Sequence, residues 1–184
     1  MPRVPDLDLD ALDAEQRRVH DAIVAGPRGG VHGPLRVWLH SPGLADRAQE
    51  LGAFCRFHTS LPPRLSELAI LVTAAAWRSG FEWQAHAPLA VEAGLDPQTV
   101  EAIRAGGTPD LAREDEAAVY AFARELIETR GVSDATYRRA AAVLDNRALV
   151  ELVGILGYYT LISMTINAFQ VPPPDGTPEP FPGP

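Results

Sequence analysis

Three ionisable side chains, Glu67, Glu82 and His86, stand in a run that is otherwise apolar and alanine-rich, PRLSELAILVTAAAWRSGFEWQAH. No charge falls between Leu68 and Trp77. A carboxylate at the head of a buried run is costly while ionised unless something pairs with it, and pairing moves its pKa. Glu82 and His86 are four residues apart, which sets them on one face of a helix. That spacing makes an acid–base pair, and it equally makes an ordinary helix contact worth about 0.2–0.5 kcal/mol. If Glu67 converges on them, two carboxylates around one imidazole titrate as a coupled set. Such a set can move a proton to or from a carbon or oxygen acid near neutral pH. A carbanion left by loss of CO2 would be protonated by His86, oriented by Glu82, while Glu67 holds a substrate group or relays a proton. The three groups could also be weighed as metal ligands, but the chain has no HExxH or Glu-x-x-His pair, and no metal is expected.

The segments ELAILVTAAAW and FEWQAH resemble the carboxymuconolactone decarboxylase-like superfamily, which includes the alkylhydroperoxidase D proteins. In the alkylhydroperoxidase branch the pattern is Glu, then Cys-x-x-Cys, then His four residues after the second Cys. Here Glu67 and His86 occupy the outer positions, while Ser79 and Glu82 fall where the two cysteines would be. The Glu-x-x-x-His of the decarboxylase branch is present as Glu82 and His86. The resemblance runs from about Leu61 to Phe169. It implies an all-α helical bundle, a homotrimer or homohexamer, and a site built on Glu67, Glu82 and His86. Peroxide reduction in such relatives needs a thiolate and a resolving thiol. Ser79 can supply neither, and Cys55 is distant from it in sequence.

Aromatic and polar residues near the motif or on the last apolar segment are candidates to line a substrate site: Ser79, Trp83, Tyr158, Tyr159 and Asn167. Each has an alternative role in core packing or as a structural hydrogen-bonding group. Arg56 and Arg64 are candidate partners for the carboxylates or for an anionic substrate.

The 184 residues carry a net charge of −8, with all 16 basic residues being arginine. No basic cluster exceeds a pair, which argues against nucleic acid as a partner. The lack of lysine excludes a Schiff-base mechanism and, with the abundance of Ala, Pro and Gly, suggests a GC-rich bacterial genome. The single Cys55 fits a reducing, cytoplasmic setting, and MPRVPDLDLD lacks the apolar core of a signal peptide. Residues 148–169 are long and apolar enough to span a bilayer. Glu151 in the first turn and the lack of basic flanks favour a buried helix, and no membrane partner is expected.

Elements to position the site follow from periodicity and punctuation. Helices are expected over 13–25, from Ser41-Pro42 to about Phe57 with Leu44, Ala48, Leu51 and Phe54 inward, and over 64–77. A further helix carries Glu82 and His86 to Ala93, with a kink or a freed carbonyl just beyond His86 because of Pro88. Others open at Asp96-Pro97, Glu114, Ser133 and Asn146. Leu35–His40 reads as a helical turn or a strand. The expected fold is all-α, seven or eight helices in one domain. It comprises an N-terminal helical segment (1–58), the core (59–170) and an extended Pro-rich tail (171–184) that could lie across a neighbouring subunit.

The expected function is a cofactor-independent, carboxymuconolactone decarboxylase-like enzyme, a lyase acting on a small carboxylate or lactone. The alternatives are an alkylhydroperoxidase-like antioxidant protein and a non-catalytic ligand-binding or scaffold protein.

Overall fold

Nine α-helices and no strand make up the regular structure of the computed structural model, which describes residues 2–174 and 177–181. In chain order they are α1 (Ala14–Ala25), α2 (Pro34–Trp38), α3 (Pro42–Phe57), α4 (Pro63–Ala76), α5 (Gly80–Glu92), α6 (Pro97–Arg104), α7 (Glu114–Thr129), α8 (Asp134–Ala141) and α9 (Asn146–Phe169). The all-α expectation holds with one or two more helices than expected, because Leu35–His40 resolves as the short α2 and its C-terminal turn. Proline at the first position starts α2, α3, α4 and α6, where its missing N–H costs nothing. Side-chain caps from Asp13, Asp96, Ser133 and Asp145 begin α1, α6, α8 and α9. Ser41 precedes α3 without making a cap bond, and Asp145, one residue before the expected Asn146, caps α9.

α4 is the central helix. Leu65, Ser66 and all of Leu68–Ala74 are buried, so it is apolar on every side, and it packs against α5, α6, α7 and α9. α9 has the length and composition of a membrane span, yet 61% of its apolar window is buried inside the fold. It lies against α2, α3, α4, α5 and α8.

Of the expected apolar stripe of α3, Ala48 is buried while Leu44, Leu51 and Phe54 are not. The helix buries its small residues Ala45, Ala48, Gly52 and Cys55, while Phe57 is exposed with the larger ones. Close approach explains the difference. A Cβ on Gly52 would stand 2.0 Å from the Tyr158 Oη, so only glycine lets α3 lie this near α9. α5 continues through Pro88, which has no N–H to give the Gln84 carbonyl.

The tail folds back on its own chain over 177–181, rather than reaching only outward. The Gln84 amide donates to the Pro178 carbonyl at 2.6 Å, and Arg104 donates to the Pro180 carbonyl at 2.9 Å. Phe181 is buried edge-on to Trp83, with Arg78 over its ring. Gly80, Trp83 and Gln84 share the face of α5 opposite Glu82 and His86, so this strap presses the helix from outside. Asp175, Gly176 and residues 182–184 of the expected tail lie outside the described residues.

The loop between α3 and α4 is pinned to α9 by Glu151. Its carboxylate accepts from the Ser60 N–H (2.5 Å) and hydroxyl (2.6 Å) and from Arg147 (2.8 Å). The bonds from Ser60, followed by Arg147, hold the carboxyl down at about 2 against an ordinary 4.5. This stabilisation is complete above the ordinary value and is lost as pH falls towards about 2. Glu151→Gln is expected to cost about 1–2 kcal/mol at neutral pH. In urea titrations its deficit against the wild type should shrink steadily in acid, and a deficit constant with pH would refute the assignment.

Candidate functional site

The three ionisable residues of the central motif meet. Glu67 projects from the second turn of α4, and Glu82 and His86 project from successive turns of α5. His86 Nδ1 lies 2.7 Å from Glu67 Oε2, and His86 Nε2 lies 3.1 Å from Glu82 Oε1. Both ring nitrogens therefore face a carboxylate. The His86 and Glu82 side chains are 3% and 5% exposed, whereas Glu67 is 12% exposed, so Glu67 is the member most open to solvent.

The i,i+4 spacing of Glu82 and His86 is realised as a contact. Ser79-Gly80-Phe81-Glu82 has the spacing of a capping box, in which Glu82 would fold back on the helix start. Ser79 makes no cap bond, and Glu82 turns to His86 instead. The Ser79 hydroxyl is left buried without a partner in the structure.

Burial pushes the imidazole towards its neutral form, but the hydrogen bonds and charges of Glu67 and Glu82 outweigh it. The His86 pKa rises from 6.5 to about 9. With its pKa raised in this way, the ring at neutral pH is an imidazolium whose two nitrogens each face a carboxylate. Tyr159 packs edge-on to it with centroids 5.1 Å apart, and Tyr158 packs edge-on to Tyr159 at 5.3 Å. Burial, followed by the charge of Glu82, keeps the Tyr159 phenol protonated.

The other sequence candidates divide. Tyr159 touches the imidazole, and Tyr158 stands one ring behind it. Trp83 lies on α5 against Phe181, away from the carboxylates. Asn167 is exposed and donates to the Trp77 carbonyl at 2.6 Å, closing the end of α4. Arg64 pairs with Asp115 (2.7 Å) and Glu116 at the start of α7, and Arg56 lies over Phe57. Cys55 is buried, and desolvation raises its thiol to about 11 despite the nearby Arg28, so it stays a neutral thiol. Sequence reasoning missed Arg28. Its guanidinium reaches the Tyr158 Oη at 3.0 Å from 130 residues away, and only the glycine-rich loop around it was visible in the sequence.

The carboxymuconolactone decarboxylase family profile matches residues 42–125, which include all three members of the triad. No curated protein matches the chain in sequence. Among solved structures, an uncharacterized peroxidase-related protein from Ralstonia eutropha JMP134, described as an alkylhydroperoxidase AhpD core, aligns with a TM-score of 0.76 at 16% identity, covering 95% of this chain and 93% of that one. A peroxidase-related protein from Silicibacter sp. TM1040 aligns at 0.74 and 15% identity, with coverage of 95% and 93%. The debrominase Bmp8 aligns at 0.73 and 15% identity, with coverage of 95% and 92%. At these identities the likeness is one of fold.

The raised pKa of His86 sets a pH dependence opposite to that of Glu151. Its contribution to stability is complete below 6.5 and is lost as pH rises through about 9. NMR titration is expected to place the imidazole midpoint near 9, and a midpoint at or below 6.5 would refute the paired imidazolium. Over the same window the wild type should lose stability that His86→Gln, already destabilised, does not.

Proposed function

We propose, from the premise that this chain belongs to the carboxymuconolactone decarboxylase/alkylhydroperoxidase D-like superfamily, that it is a cofactor-independent acid–base enzyme acting on a small carboxylate or lactone. The observation that carries this reading is the buried imidazolium held between two carboxylates. With a carboxylate on each ring nitrogen, a proton can enter the imidazole on one side and leave on the other. In the reaction, the bond from the substrate carbon to its carboxylate breaks and CO2 leaves. The electron pair enters the substrate's own conjugated carbonyl. The His86 Nδ1 proton then passes through Glu67, the most exposed of the three, to the carbon, and a proton from solvent restores the imidazolium. Glu82 orients the ring and stabilises its charge throughout. Lactone protonation or isomerisation would use the same donor.

A thiol-dependent peroxidase has little support in this chain. Serine and glutamate stand where the cysteine pair would be, and Cys55 is a buried thiol with a raised pKa. One observation favours a non-catalytic role: the triad is nearly closed to solvent, as a structural ion cluster would be. The exposed Leu51 and Phe54 of α3 border a groove with Val150 of α9, an apolar surface suited to self-association as a trimer or hexamer. A cytoplasmic location belongs to the same reading.

A panel of small lactones and unsaturated dicarboxylates, assayed for CO2 release and ring opening, tests the enzyme reading. Glu82→Gln and His86→Ala are each expected to lower kcat by 100-fold or more, on the order of what a positioned acid–base group supplies. Both variants should keep helical circular dichroism, Cys55→Ser should retain full activity, and kcat should fall above about pH 9. Full activity in both site variants would overturn the proposal, and peroxide turnover abolished by Cys55→Ser would establish the redox alternative.

A further inference from the structure

The chain pairs most of its well-sheltered arginines with an acceptor of full or partial negative charge. Arg36 has Asp6 and the Leu7 carbonyl, Arg64 has Asp115 and Glu116, and Arg17 has the Leu9 carbonyl. Arg28 differs. It projects from the loop between α1 and α2, and its one hydrogen bond is donated by Nη2 to the Tyr158 Oη at 3.0 Å. Its Nε–H is buried with no acceptor, and it forms no ion pair among the described residues. Arg28 is half-buried, and its sheltered Nε–H is a donor left free to take an acceptor from a ligand.

Tyr158 adds a second unsatisfied donor. The phenol accepts from Arg28 and is 2% exposed, and burial raises its pKa to about 12, against the opposing charge of Arg28, so it keeps its proton. No acceptor for that proton is present among the described residues. Both groups sit over the bare backbone of Gly52, where a Cβ would stand 2.0 Å from the phenol oxygen and 2.4 Å from Arg28 Nη2. From Tyr158, stacked aromatic edges lead through Tyr159 to His86. The loop that carries Arg28, Gly26-Pro27-Arg28-Gly29-Gly30, is glycine-rich, and Gly29 takes a φ of +69°.

We propose that Arg28 and Tyr158 form a receptor for one carboxylate of a small organic acid, using the Arg28 N–H groups and the Tyr158 O–H. A planar carboxylate matches the guanidinium fork, and the phenol supplies a further donor. This deepens the acid–base reading and rests on it for the reaction that follows binding; the binding itself can be measured without turnover.

Isothermal titration with succinate and benzoate, and with inorganic phosphate as the non-carboxylate anion, tests the receptor. The wild type is expected to bind at least one of the two acids more tightly than phosphate. Arg28→Gln should weaken that binding roughly tenfold or more, the usual scale for a charge-assisted bond. Tyr158→Phe, which removes one oxygen, should weaken it several-fold, and carries the test if Arg28→Gln does not fold. His86→Gln should leave binding within about twofold, separating the receptor from the triad. Neither acid binding the wild type, phosphate binding as tightly as the acids, or equal affinity in wild type, Arg28→Gln and Tyr158→Phe would overturn the proposal. Equal loss in His86→Gln and Arg28→Gln would also overturn it, by placing the carboxylate at the triad. An inactive triad with intact acid binding would remove the enzyme reading alone.

Discussion

A buried cation is tolerable only when its counter-charges are held in place, and the Glu67–His86–Glu82 cluster imposes that demand on the fold. His86 is 2% exposed and ionised. Removing either carboxylate would leave one imidazolium N–H without its acceptor in a desolvated place, at a cost of about 1–3 kcal/mol. The register of α5 against α4 is therefore constrained by chemistry as well as by packing. A rotation of α5 by one residue, about 100°, would take Glu82 and His86 off Glu67 together.

Two features outside the motif hold that register. On the outer face of α5, the strap of residues 177–181 binds Gln84, Trp83 and the neighbourhood of Gly80. On the inner side, Tyr159 braces the imidazole ring, and Tyr158 braces Tyr159. The tyrosines are positioned because α9 can come close to α3, and that approach depends on Gly52. A glycine in a helix interior ordinarily costs about 1 kcal/mol relative to alanine. Here it admits a phenol and a guanidinium that no side chain at that position would allow.

The same approach explains which face of α3 is exposed. A ridge of Leu and Phe cannot enter the narrow space beside α9, so Ala45, Ala48, Gly52 and Cys55 enter it and Leu44, Leu51, Phe54 and Phe57 remain outside. Periodicity reports that a helix has an apolar stripe. It does not report whether large or small residues occupy the tightest interface, because that depends on a partner helix about a hundred residues away.

Read alone, the chain was sufficient for the all-α class, for most helix boundaries and for singling out Glu67, Glu82 and His86, whose side chains the fold brings together. Proline and cap residues act within one turn, and residues four apart on a helix must share a face, so these features are local. The apolar run between Glu67 and Glu82 also required their charges to be accounted for. Tertiary structure decided the rest. It brought Glu67 across from α4 to the far side of the ring, and set aside Asn167 and Trp83 for structural contacts. It also delivered Arg28 to Tyr158. Those outcomes depend on which buried charges and donors find one another when distant helices pack, and spacing along a chain carries no information about that.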